Sequence, residues 1–271
     1  MSQRIKRAFL DTEDGQILYR IGGEGKAILL LHMIPRSSDE FQELMSILAE
    51  KNLVIAMDLM GLGDSDKPPR VYSVADYAKT AIALLDELGI QKANIFGSLT
   101  GGYIAGEVAA AYPNRVDKLI LCNLFGFDAE EKDKILHRYS QGFQIKADGS
   151  HLMEQWLSRV NYIGNGELNH RCVLEDLKCF GSPVYPGIAI ANYCLAAPQR
   201  FRLIQCPTLI LSGEKALEPL EKAGLAKAEN QYWLKDVIPH SQRVELESGT
   251  LWMVNQLPEE VLKVVIDFLE K

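Results

Sequence analysis

A chain of 271 residues that is 47% hydrophobic can bury one sizeable core, and it falls in the length range of a single α/β domain. Its net charge of −7, with Lys and Arg scattered along the chain, repels nucleic acid and anionic lipid, so neither a nucleic acid nor a membrane is an expected partner.

The N-terminus carries Arg4, Lys6 and Arg7, but the apolar run behind them is far too short for a signal-peptide core, and no later stretch is long enough to span a bilayer. Residues 5–10 and 16–21 flank the turn sequence DTEDG and read as an antiparallel hairpin. KAILLLH, ending at His32, and NLVIAMD, ending at Asp58, have the length and composition of strands buried on both faces, which implies a parallel sheet. KANIFG to Gly97, DKLILCN to Asn123, PTLILSG to Gly213 and QRVELE to Glu247 continue the series. Helix-length patterns over residues 38–50, 73–88 and 101–112 lie between them, giving the alternation of βαβ units. From Phe127 to about Arg202 the strand rhythm stops, so residues 127–202 read as an insertion. The last helix, 258–270, opens on Pro258 followed by Glu259 and Glu260, which suits the positive end of its dipole. The five cysteines (Cys122, Cys172, Cys179, Cys194, Cys206) are odd in number and lack C-x-x-C spacing, which speaks against disulfides and zinc and for a reducing, cytoplasmic setting. No motif for a metal or a cofactor is present.

Five segments carry a resemblance: LLLHMIPRSSDEF around His32, MDLMGLGDSDKPP around Gly61, IFGSLTGGYIAGEVAAAYP around Gly97, PTLILSGEKALEP around Gly213, and ESGTLWMVNQLPEEV near the C-terminus. In this order they resemble the α/β-hydrolase fold family over nearly the whole chain. The resemblance implies an α/β fold: a mostly parallel eight-stranded sheet flanked by helices, with a helical cap inserted after the sixth strand. The core would then be residues 1–126 and 203–271, and the cap 127–202. It also implies a nucleophile on a sharp G-x-S-x-G turn, an acid and a histidine.

The residues at those places are different. The pentapeptide is Gly97-Ser98-Leu99-Thr100-Gly101, so the glycines of the turn remain while its centre is Leu99. Shifting the register by one would make Ser98 the nucleophile, at the cost of placing Phe96 and Thr100 where the crowded backbone wants small residues. The acid's place in Gly213-Glu214-Lys215-Ala216 holds Ala216, and Glu214 and Glu218 read as solvated loop charges. Some relatives place the acid after the preceding strand, which here falls near Asn123; Asp128, further on, reads as a helix cap. The histidine's place in Gly249-Thr250 holds Thr250. His240 precedes the last strand and is expected more than about 10 Å from the catalytic edge. His137, His151 and His170 lack metal-ligand spacing. His32 reads equally as a polar contact in the pocket or as a brace for its loop, and Met33 stands where relatives have glycine beside the oxyanion-hole amides.

A ligand pocket is expected between core and cap, formed by His32, Met33, Ser98, Leu99, Phe127, Trp156, Tyr185 and Thr250, with a small apolar molecule as the partner. Phe127, Trp156, Tyr162, Phe180, Tyr185 and Tyr193 supply aromatic surface of the kind that lines such pockets. The opposing reading is a floor filled by apolar side chains with no cavity. Three functions stay open. The first is a non-hydrolytic enzyme (lyase, isomerase or cyclase type) using His32, Ser98, Thr100 and Thr250 as its polar groups. The second is a catalytically inactive small-molecule-binding or interaction protein. The third is an atypical hydrolase using Ser98 or Cys122. A wet cavity with converging polar groups separates the first from the second, which a dry, filled floor favours.

Overall fold

The computed structural model describes residues 4–179 and 183–271. Eight strands form one sheet: β1 (Lys6–Thr12), β2 (Gly15–Gly22), β3 (Lys26–Leu31), β4 (Asn52–Met57), β5 (Ala93–Ser98), β6 (Val116–Cys122), β7 (Thr208–Gly213) and β8 (Gln242–Leu246). Their order is β1-β2-β4-β3-β5-β6-β7-β8. β1 pairs antiparallel with β2, and β2 antiparallel with β4; the remaining pairings are parallel. The carboxyl ends of the central strands therefore share one edge.

The strand sequences explain the two-sided burial. Successive side chains alternate between faces, so Leu29, Leu31, Ile55 and Met57 enter one core while Ile28, Leu30, Val54 and Ala56 enter the other. β5 is buried along its whole length, as a central parallel strand requires. The helix Val74–Glu87 is held at its start by a capping box of Ser73 and Asp76. The closing helix Pro258–Glu270 begins on proline, with Glu259 and Glu260 in its first turn. The single helix expected over 38–50 divides into a 3-10 turn, Ser38–Phe41, and an α-helix, Gln42–Leu48. The amide of Asp39 donates to the Ser37 hydroxyl and that of Ser38 to Asp58 Oδ1 at 2.7 Å, side-chain contacts that tighten the first turn.

Between β6 and β7 the described residues form helices Ala129–Gln141, Ser150–Leu157, Val160–Ile163, Gly166–Leu177, Tyr185–Tyr193 and Ala197–Phe201. They pack over the carboxyl edge of the sheet; Val184, Ile190 and Phe201, for example, join the same core as Leu31 and Tyr103. Phe180 lies outside the described residues. Among the described residues no helix is long and apolar enough to cross a membrane.

Candidate functional site

The turn from β5 into the helix Thr100–Ala111 is dictated by backbone crowding. A Cβ on Gly97 would collide with the backbone of Gly101, and one on Gly101 with the carbonyl oxygen of Leu31. The residue at the tip is Leu99, in the left-handed region at φ 42°, a strained conformation for a branched side chain. Its amide donates to the Cys122 carbonyl at 2.9 Å. Ser98 is the last residue of β5 and is buried beside the Glu40 carboxyl, below the tip.

The loop after β3 is fixed from within. His32 Nδ1–H donates to the Met33 carbonyl at 2.8 Å, and its Nε2 accepts the Leu59 amide at 2.9 Å. Both nitrogens thus serve backbone groups, and burial holds the ring's pKa below its ordinary value, keeping it neutral. The Met33 amide donates to Glu40 Oε2 at 2.8 Å. Burial raises the Glu40 pKa, opposed by the neighbouring Arg36 guanidinium and by hydrogen bonding.

At the ends of β6 and β7, polar groups are again spent on scaffold. Asn123, at φ 49°, accepts the Gly213 amide at 2.9 Å and donates from Nδ2 to the Thr250 carbonyl at 3.2 Å. A Cβ on Gly213 would collide with the backbone of Gly249, so the two turns lie against each other. Ala216 is fully buried. Glu214 is exposed and accepts the Ser248 amide, and Glu218 pairs loosely with Lys222 at 3.7 Å. The Thr250 hydroxyl donates to Gln256 Oε1 and accepts the Trp252 amide at 3.1 Å. Gln256 Nε2 in turn donates to the carbonyls of Tyr162 and Ile163. His240 is exposed just before β8. Because β8 runs parallel to β7, it sits at the opposite edge of the sheet from Leu99, about 15 Å of strand away. Asp128 caps the helix Ala129–Gln141, accepting the Glu131 amide at 2.9 Å.

The space around these positions is filled. Met33, Ala216, Leu217 and Trp252 pack with Ile163 and Leu168 of the helical segment in one apolar cluster, and Leu99 touches its margin. The Tyr162 ring stacks on Trp252 with centroids 6.0 Å apart. Beside Leu99 there remains a cavity of about 30 Å³, bounded by Ile34, Leu99, Thr100, Phe127, Ile135 and Leu225 among others.

Of the eight residues expected to form a pocket, Leu99 and Phe127 line this cavity, as does Thr100. The other six do not line it, and the structure places them as follows. His32 braces its loop, Met33 fills the floor, Ser98 faces Glu40, and Thr250 is held by Gln256. Trp156 lies on the helix Ser150–Leu157, which buries none of its residues, and Tyr185 opens a helix that turns Gly187 and Ile190 to the cavity instead. Ile135 and Tyr139, lining residues not foreseen, stand four apart on one helix and so share a face. That spacing was visible in the sequence.

The family model for the alpha/beta hydrolase fold matches residues 26–249, and the chain belongs to that family. It is 30% identical to a fluoroacetate dehalogenase of a Burkholderia species, over 99% of this chain and 95% of that one. It is 26% identical to mouse epoxide hydrolase 4, over 92% of this chain and 75% of the relative. An uncharacterised protein of Mycobacterium tuberculosis is 44% identical across 40% of this chain, and there the chain spans only 32% of the relative's length. Among solved structures, E-2-(acetamidomethylene)succinate hydrolase superposes with a TM-score of 0.78 at 22% identity, covering 99% of this chain and all of that one. The enol-lactonase of Burkholderia xenovorans LB400 gives the same score at 19% identity, covering 97% and 100%.

Proposed function

We propose that this chain is a non-hydrolytic member of its family that binds a small apolar molecule between core and cap (residues 127–202) without transforming it. In this reading Leu99, Ala216 and Thr250 replace nucleophile, acid and histidine. The observation that carries it is the filled floor: Met33, Ala216 and Leu99 belong to or border one apolar cluster with cap side chains, and the remaining cavity is about 30 Å³. Metabolite pockets run to roughly 300–1,000 Å³, so ligand entry requires the cap to move outward. The lyase, isomerase or cyclase reading needs several polar groups converging on a ligand. His32 and Thr250 are committed to the scaffold and Ser98 is buried beside Glu40, which leaves Thr100 alone among the polar groups first considered to line the cavity. A hydrolase reading through Ser98 or Cys122 is disfavoured: burial holds the Cys122 thiol protonated, and Ser98 is buried below the tip, beside a Glu40 carboxyl that already accepts the Met33 amide.

The test is a pair of measurements on the purified chain. Fluorophosphonate labelling and turnover of activated esters, epoxides and fluoroacetate, the last two matching the names of its relatives, are expected at background. A panel of apolar compounds is expected to raise the melting temperature in a concentration-dependent way. Stoichiometric labelling or turnover overturns the non-hydrolytic reading, and a panel without any shift overturns the binding one.

A further inference from the structure

β8 ends the sheet: it pairs with β7 on one side and with no strand on the other among the described residues. An open strand edge is a template for a further strand. One hydrogen bond fixes which backbone groups this edge offers. The Glu214 amide donates to the Leu246 carbonyl at 3.1 Å, so the peptide groups of Leu246, and by alternation those of Val244 and Gln242, point at β7. Those of Arg243 and Glu245 therefore point outward.

The side chains restrict what can pair there. Arg243 and Glu245 are exposed and share one face, bordering an open groove of about 400 Å³ beside residues 231–235. Arg243 Nη2 donates to the Lys235 carbonyl at 2.9 Å, and Glu245 Oε2 accepts the Tyr232 hydroxyl at 2.8 Å. Val244 and Leu246 pack against the core formed with the closing helix, and both remain half-buried.

We propose that this edge is a homodimer interface, with β8 of a second copy running antiparallel about a two-fold axis at Val244. In that register Arg243 stands opposite Glu245 of the partner subunit, and Glu245 opposite the partner's Arg243. Both residues point their peptide groups across the seam, so each pair exchanges two backbone bonds. Opposite charges directly across a pair attract and like charges repel. A shift by one residue would turn the peptide groups of one strand away from the other, and a shift by two would set Arg243 against Arg243 or Glu245 against Glu245. Parallel pairing in register would set each charge beside its own kind. Charge on an edge strand commonly serves to repel a second strand, but Arg-Val-Glu repels its own copy only in the wrong registers. Val244 meets its symmetry mate in the closely spaced non-hydrogen-bonded position, which covers the part of it left open in the single chain. The contact is isologous and closes at two copies.

Sedimentation equilibrium of the full chain over a dilution series tests this. The native chain is expected to dimerise reversibly. Arg243→Glu sets carboxylates opposite each other at both pairs, and Glu245→Arg does the same with guanidinium groups; each should raise the dimer dissociation constant about tenfold or more. Mixed in equal amounts, the two variants should associate with each other, and the double variant Arg243→Glu, Glu245→Arg should dimerise like the native chain. A native chain that stays monomeric throughout, leaving the edge to a foreign strand or to solvent, overturns the proposal. So does a native dimer that both single variants leave unchanged, or a pair of variants that fail to complement. Glu245→Pro removes an outward-pointing amide and no bond to β7, a place where an edge strand accepts proline. It should be monomeric too, and it decides the matter should a charge variant not fold: a dimer that persists in it overturns the proposal.

Discussion

Asn123 Nδ2 donates to the carbonyl oxygen of Thr250 at 3.2 Å while its Oδ1 accepts the amide of Gly213 at 2.9 Å, tying the ends of β6 and β7 to the turn before the last helices. Both halves of the carboxamide are used, so an isosteric carboxylate is a poor replacement. Asn123→Asp keeps the acceptor but turns a second oxygen toward the Thr250 and Leu251 carbonyls. It is expected to cost about 1–3 kcal/mol, the usual range for a buried polar group left without its partner. Urea denaturation checks this; an unchanged midpoint would show that the amide is not needed as a donor.

The strand and helix series was legible because its causes are local. The runs ending at His32, Asp58, Gly97 and Gly213 are apolar on both faces, and the glycines at 97 and 101 announce a turn that almost no other residue fits. The pocket was less legible because its lining depends on which face each helix of the 127–202 segment turns inward. His32 shows the difficulty: both of its bonds go to backbone groups, and Leu59 is 27 residues away in sequence. Glu40 was missed for a similar reason, since a charged residue in a polar stretch gives no sequence signal of complete burial.

Gly101→Ala tests whether the turn is structural regardless of chemistry. The added methyl collides with the Leu31 carbonyl, a backbone atom that cannot give way. A loss of roughly 3 kcal/mol or more, or failure to fold, is expected, the range of steric failure in a core. Gly149→Ala is the control: it has φ 75° but open space around it, and about 1 kcal/mol is expected from the backbone alone. Equal effects in thermal melts would refute the steric account.

Glu40 predicts a pH dependence of definite sign. Burial raises its folded-state pKa above the unfolded value of about 4.3, so the native chain binds this proton more tightly than the unfolded one. The group's contribution to stability is therefore greatest below the unfolded pKa, falls as pH rises toward the folded pKa, and is constant above it. The stability difference between wild type and Glu40→Gln should accordingly decline as pH is raised from about 4. A difference that grows with pH would mean that Glu40 is held as a carboxylate with a depressed pKa.

Arg171 ties the helix Gly166–Leu177 to the core, through Asp39 Oδ2 at 3.1 Å and Glu43 Oε1 at 2.6 Å. The pairs are partly exposed, so screening limits their worth to about 1–2 kcal/mol. Arg171→Met should loosen the segment before the whole chain unfolds. Faster limited proteolysis within residues 127–202, with a difference from wild type that shrinks in 1 M salt, is the expected result. Proteolysis spread evenly over the chain would count against a local role.

Leu99→Ser tests the non-hydrolytic reading at its centre. The new hydroxyl would stand at the tip of the turn, at φ 42°, yet among the described residues neither His32 nor the Ala216 and Thr250 positions offer a base to activate it. Both nitrogens of His32 are bonded to backbone groups, and position 250 presents a threonine hydroxyl engaged with Gln256. A serine without a base is an ordinary alcohol, so the single variant should remain unlabelled by fluorophosphonate and hydrolyse esters within about twofold of wild type, since a triad acts as a unit. The combination of Leu99→Ser, Ala216→Asp and Thr250→His supplies nucleophile, acid and base on turns already packed against each other at Gly213 and Gly249. Labelling should then appear, but slowly, because the Met33 amide remains bonded to Glu40 and its side chain fills the floor where a substrate oxygen would be received. Adding Glu40→Leu to the triple variant should free that amide and speed labelling further. Robust labelling of Leu99→Ser alone, or of the native chain at Ser98, would reveal an activating base and end the non-hydrolytic reading.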